Sequence, residues 1–248
     1  MLSFDYDTEP SADELATNYK QVLNSIREAS GGREVQLVAA SKSKSPACIK
    51  CLYDQGHRVF GENYVQEVVE KARELPQDIQ WHFIGHLQSN KVRELLLGVP
   101  SLCVVETVDS DKLADKLNTG CERYREGRPL DVFLQVNTSG EESKSGTEPG
   151  PPTIELAAHL TERCPLLRLR GLMTIGMKDY TSRPENFTCL MRCREEVAQR
   201  CGVPAETLAL SMGMSGDYQR AIEMGSTTVR VGSVIFGQRV SKHPKQAG

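Results

Sequence analysis

Nowhere does the sequence carry an apolar run approaching the roughly 20 residues that a bilayer-spanning helix needs. A basic excess is missing too: 30 lysines and arginines stand against 33 aspartates and glutamates, a formal net charge of -3 that leaves nothing to neutralise a nucleic-acid backbone. The first ten residues, MLSFDYDTEP, are acidic and lack both an apolar signal core and the arginine-rich pattern of a transit peptide. These absences argue against a membrane protein and a general nucleic-acid binder, and make a cytoplasmic location the default expectation. Cysteine pairing is also short of a motive. The eight cysteines fall mostly in periodic segments, and a chain of 248 residues can build a sizeable core without disulfide staples. Cys48 and Cys51 form a lone CxxC with no second pair and no suitably spaced histidine, so packing cysteines are the expectation there. Internal repeats, low-complexity tracts and interdomain linkers are absent, which predicts a single domain over 1–248, with an N-terminal helix and extension in 1–30 and a tail at 241–248.

What is present alternates. Ser11 and Glu14 make a Ser-x-x-Glu capping box before an amphipathic helix with Leu15, Tyr19, Val22, Leu23 and Ile26 on one face. Strand patterns follow at 35–41, 58–60, 81–84, 102–107, 131–137, 167–173, 207–212 and 228–232, each succeeded by a helical pattern or a short helical tail. Eight such units in 248 residues predict a TIM (β/α)8 barrel. The Rossmann alternative calls for a glycine-rich dinucleotide turn after its first strand, and none is there. The polar, Gly/Pro-rich stretch 139–152 reads as a solvated connection or a loop over the barrel mouth, and composition favours the first.

Lys42 ends the apolar run VQLVAAS, where an ammonium is costly to bury unless something pairs with it. Side chains alternate along a strand, so Val38, Ala40 and Lys42 share one face, and strand C-terminal ends are where barrels place their chemistry. With Lys44 as a like-charged neighbour, partial desolvation is expected to lower the Lys42 pKa and free the amine to attack an aldehyde. At the far end of the chain, LSMGMSGD (210–217) and VRVGSVIFG (229–237) are two strand-to-helix turns rich in glycine and serine, at the seventh and eighth β/α junctions. Backbone N–H groups, a helix start and a hydroxyl there make a phosphate cradle. Arg230, one strand step before Gly232, must find an acceptor inside a barrel, either a ligand ring nitrogen or an ion-pair partner. A reactive amine, a phosphate cradle and an interior arginine together suggest pyridoxal 5'-phosphate (PLP) as ligand.

The motifs VAASKSK, GENYVQE (61–67), WHFIGHLQSNK (81–91), NTSGEESKSG (137–146), GLMTIG (171–176), LSMGMSGD and VRVGSVIFG closely resemble those of the YggS/PROSC family of pyridoxal phosphate homeostasis proteins, from about residue 35 to residue 240. The resemblance implies a barrel like the N-terminal domain of alanine racemase, with Lys42 as the Schiff-base lysine. It implies phosphate contacts near Met214, Ser215, Gly232 and Ser233, Arg230 beside the pyridine nitrogen, and Asn63 lining the cofactor. Ile84, His82 and Met173 fall near strand ends in the same motifs and are candidates either for the lining or for the core. In this chain SKSKSP replaces the commoner Ser-Lys-Thr-Lys-Pro run, which moves the proline one position later. The resemblance further implies a carrier that holds PLP and supplies PLP-dependent apoenzymes without turning over amino acids. A PLP-dependent racemase or Schiff-base lyase is the alternative. A single sequence shows no subunit interface and leaves the oligomeric state open.

Overall fold

A computed structural model describes residues 9–141, 144–176 and 183–238. The 241–248 tail and most of the N-terminal extension before Ser11 lie outside them. Eight strands alternate with helices: β1 (Gln36–Ala40), β2 (Val59–Glu62), β3 (Gln80–Phe83), β4 (Leu102–Val108), β5 (Leu130–Gln135), β6 (Leu167–Met173), β7 (Ala209–Met214) and β8 (Thr228–Val231). All pair in parallel with their sequence neighbours, and β1 pairs with β8 through Gln36 to Thr228 and Ala39 to Val231, which closes the barrel. The predicted TIM barrel is the fold observed. The helices are α1 (Ala12–Ser30), α2 (Pro46–Asp54), α3 (Val65–Glu74), α4 (Val92–Gly98), α5 (Asp111–Tyr124), α6 (Pro151–Arg163), α7 (Pro184–Cys201), α8 (Tyr218–Glu223) and α9 (Ser233–Phe236).

The strands are short apolar runs because both of their faces are covered. One face carries Leu37, Ala39, Phe60, Trp81 and Phe83 into the main core against the helices. The other turns inward, where Val104, Phe133 and Met173 form a separate small cluster. The capping box of α1 is closed in both directions: the Ser11 Oγ accepts from the Glu14 N–H, and Glu14 Oε2 accepts from the Ser11 N–H at 2.8 Å. Leu15, Tyr19, Val22 and Ile26 are buried along one face of α1, with Leu23 at its margin, and the helix packs on α2, α8 and α9. It therefore covers the seam where the first and last strands meet.

Differences from the sequence reading are local. The seventh strand starts at Ala209 rather than 207, because Ala205–Thr207 wind into a 3-10 turn after Pro204. The fifth ends at Gln135, and Asn137 is drawn into the following loop by donating to the Glu141 carbonyl. That loop is hydrogen-bonded to the barrel: Gln135 Nε2 donates to the Ser145 carbonyl, and Lys144 Nζ to the Gly176 carbonyl.

Candidate functional site

Lys42 sits in the turn immediately after β1, half-buried, and it lines a cavity of about 480 Å³ at the C-terminal mouth of the barrel together with Ala40. That volume lies in the range of about 300–1,000 Å³ usual for small-molecule sites. Asn63, Ile84, Met214, Ser215, Arg230, Gly232 and Ser233 line the same cavity, contributed by the ends of four different strands. Met173 does not. It is fully buried beneath the floor against Val104 and Phe133, because at the last position of β6 its side chain turns down into the barrel, and Ile175 takes the lining position two residues on. Of the two places the sequence leaves open for Met173, lining or core, its packing matches the core. His82 is likewise an interior residue, with its Nδ1 2.7 Å from Glu106 Oε1. None of the described residues of the 139–150 loop reaches the cavity.

Two buried polar atoms in this lining have no hydrogen-bond partner among the described residues: Lys44 Nζ and Asn63 Oδ1. Buried polar groups are nearly always satisfied, and an unpaired ammonium is the costliest to leave bare. Both residues border the cavity, and a lysine beside an amide side chain suits an anionic ligand that also carries a hydrogen-bond donor. Sequence reading treated Lys44 only as a charged neighbour of Lys42. The structure makes it a lining residue with 3% exposure.

The two glycine-serine turns come together at the other side of the cavity. Ser215 Oγ accepts from the Gly232 N–H at 3.1 Å and the Val234 N–H at 3.5 Å, tying the turn after β7 to the start of α9. Asp217 Oδ1 accepts from the Met214 N–H at 2.6 Å and fixes the first of these turns from within. Gly213 has φ +96°, and a Cβ there would lie 2.6 Å from the Ala221 Cβ, so only glycine permits this path of the chain. A Cβ on Gly232 would approach the Ala40 carbonyl to 3.0 Å, and its absence lets the turn after β8 lie against the end of β1.

Below the cavity, Arg230 is held by protein acceptors. Its Nη2 donates to the Thr174 carbonyl at 2.6 Å, its Nη1 donates to Ser211 Oγ at 3.1 Å, and Glu106 Oε2 lies 3.6 Å away. Ser211 Oγ in turn donates to Glu106 Oε2 at 2.6 Å. Burial alone would raise the Glu106 carboxyl, but His82, Arg230 and Ser211 together carry it below its usual value, so it remains an anion. Burial lowers the Arg230 guanidinium and Glu106 opposes this, which leaves a charged, oriented guanidinium in the cavity floor. Glu106 and Ser211 escaped the sequence reading. The available signal was a carboxylate inside LCVVETV, a strand with both faces covered.

Residues 11–240 match the family model described as alanine racemase, N-terminal domain. The human pyridoxal phosphate homeostasis protein is 48% identical over 218 residues, 84% of this chain and 78% of its own. PipY of Synechococcus elongatus PCC7942, solved without PLP and with PLP bound, is 32% identical over 91% of this chain and 99% of its own, with TM-scores of 0.73 and 0.66 respectively. An alanine racemase of Clostridium difficile 630 shares the fold at a TM-score of 0.70 with 15% identity, and the match spans 93% of this chain but 58% of the racemase. With the family model spanning nearly the whole barrel and relatives of this identity over most of its length, the chain belongs to the pyridoxal phosphate homeostasis proteins, built on the alanine racemase N-terminal domain.

Proposed function

We propose that this protein binds PLP as a Schiff base on Lys42 and serves vitamin B6 homeostasis as a cytoplasmic carrier or buffer that supplies PLP-dependent apoenzymes. The observation that carries the reading is a single cavity lined by Lys42, Lys44, Asn63, Arg230 and the linked turns of Ser215 and Gly232. The names of the human and cyanobacterial relatives support it. When bound, PLP supplies an aldehyde that condenses with an amine, releasing water, and a ring that can withdraw electrons.

The residues divide the work. Lys42 supplies the amine. Ser215 and Ser233 offer backbone and hydroxyl donors to a phosphate beside Met214 and Gly232, whose own N–H groups are taken by Asp217 and Ser215 and shape the turns, and Lys44 adds a cation. Asn63 and Ile84 border the ring. Arg230, held in place by Glu106, presents a permanent positive charge at the ring nitrogen and disfavours its protonation. That keeps the ring a weak electron sink, which suits storage and release over turnover.

The test is the absorbance of purified protein loaded with PLP, before and after borohydride reduction, with peptide mapping. A yellow chromophore fixed on Lys42 by reduction, and lost in Lys42→Ala, is the expected result. Saturable racemisation or Schiff-base cleavage of amino acids above a PLP-only control would defeat the carrier reading.

A further inference from the structure

The GENYVQE segment and the helix it opens contain a buried ionic set that does not touch the cavity. Lys71 on α3 is 1% exposed, and its ammonium donates all three hydrogens: to the Ser41 carbonyl at 2.9 Å, Glu62 Oε1 at 2.7 Å and Glu67 Oε1 at 2.6 Å. Both glutamates are as deeply buried, at 0% and 1%. A lysine has three donors, so this one is spent in full. Burial pushes the Glu62 carboxyl up while Lys71 pulls it down, and Glu62 Oε2 is left with no hydrogen-bond partner among the described residues.

Such a set is a poor way to gain stability. Replacing buried ion pairs by well-packed apolar groups is often neutral or favourable, so their presence calls for another reason. The contacts supply one. Ser41 Oγ donates to Glu62 Oε1 at 2.6 Å, and the Ser43 N–H donates to Glu67 Oε1 at 2.7 Å. The Ser41 N–H is taken by the Gly61 carbonyl, and the Lys44 N–H by the Ser41 carbonyl. Residues on both sides of Lys42 are thus fastened, and Ser43 is kept at φ +60°, a left-handed conformation that costs a non-glycine residue free energy. The turn that carries Lys42 is shaped from behind by three charges.

We propose that Glu62, Lys71 and Glu67 are positioning residues that set the direction from which the Lys42 amine enters the cavity, so that they govern formation of the Schiff base far more than recognition of the rest of the ligand. This rests on the reading of Lys42 given above. The amine must approach the aldehyde carbon along one line, whereas the serine and glycine turns offered to the phosphate follow β7 and β8; Lys44, whose N–H bonds the Ser41 carbonyl, is the phosphate contact that shares this turn.

Two ligands separate the roles: PLP, and pyridoxine 5'-phosphate, which carries an alcohol in place of the aldehyde and cannot form the bond. Glu67→Leu removes the acceptor of the Ser43 N–H and leaves a balanced Glu62–Lys71 pair. Lys71→Met removes the central ammonium, and Glu67→Gln restores the acceptor without the charge. Affinities for both ligands are measured, with borohydride trapping on Lys42 and melting temperature. Glu67→Leu and Lys71→Met are expected to weaken PLP binding and slow trapping by about tenfold or more, with a clearly smaller loss of pyridoxine 5'-phosphate affinity, about threefold at most, which is the share that a displaced Lys44 accounts for. Glu67→Gln should recover most of the loss. Equal loss for the two ligands, or unchanged PLP trapping in folded Glu67→Leu, overturns the proposal. If Lys71→Met fails to fold, the comparison of Leu with Gln at 67 decides alone. Wild-type protein that shows no adduct on Lys42 instead sinks the Schiff-base reading itself, a distinct result.

Discussion

His57 shows what a buried titratable side chain does to this molecule. Its Nε2–H donates to the Val59 carbonyl at 2.7 Å, and its Nδ1 accepts from the Tyr19 hydroxyl at 3.2 Å. Burial lowers its pKa from 6.5 to about 4. The unfolded chain takes up a proton below 6.5 that the folded chain refuses until about 4, so this residue's contribution is lost as pH falls through that window. The expected loss between pH 7 and pH 5 is about 2 kcal/mol, or roughly 4–8 °C in melting temperature for a domain of this size. In His57→Gln the fall in melting temperature over that interval should be smaller by about this amount. Glu62 works in the opposite sense, since a raised carboxyl loses its contribution as pH rises, and comparing the two proteins at each pH cancels it. An unchanged pH slope in the variant would show that His57 is not buried as a neutral ring. The individual residues were unevenly legible. Lys42 and Arg230 stood out because a lone charge in an apolar run has few explanations. Glu67 and Lys71 did not, because a Glu and a Lys four apart on a helix look like an ordinary exposed pair. Only the packing of α3 against the end of β1 turns that pair inward.

Among the elements, the strands were the most readable, since a parallel barrel buries both faces and leaves continuous apolar runs. Their ends were less so. Where a strand stops depends on which loop claims the next N–H, as at Asn137, and that is settled by tertiary hydrogen bonds. α1 was legible as a helix from its capping box, but its task was not. Glu9, just ahead of it, accepts from the Ser45 N–H and Oγ, each at 2.6 Å, and Asn18 Nδ2 donates to the Ile235 carbonyl at 3.2 Å. Ser45 is the N-cap of α2 and follows Lys44, while Ile235 lies in α9 after the Gly232 turn. The helix and the residue ahead of it thus brace both walls of the cavity. Removing both braces in Glu9→Ala/Asn18→Ala is expected to speed PLP release roughly fivefold, about 1 kcal/mol. Stopped-flow transfer to an apoenzyme in excess reads this rate, and an unaltered rate would reduce α1 to a cover for the barrel seam.

On the scale of the whole molecule, no helix among the described residues is long and apolar enough to cross a membrane, and most of the buried apolar residues lie in the two cores. A ligand that binds only the closed barrel should stabilise all of it. With free PLP at about 100 times its dissociation constant the gain is about 2.7 kcal/mol, or a rise of roughly 5–10 °C in melting temperature. Lys42→Ala should forfeit most of that rise in differential scanning fluorimetry, and a full rise in the variant would place the binding energy elsewhere. The pairing of β1 with β8 has one more effect. Lys42 and the turn at Gly232 belong to opposite ends of the polypeptide and become neighbours only across that last ladder. A growing chain on the ribosome, however much of the barrel it has built, owns half a binding site. On the proposed reading, capture of the vitamer waits for the final strand, and occupancy would report that the barrel is complete.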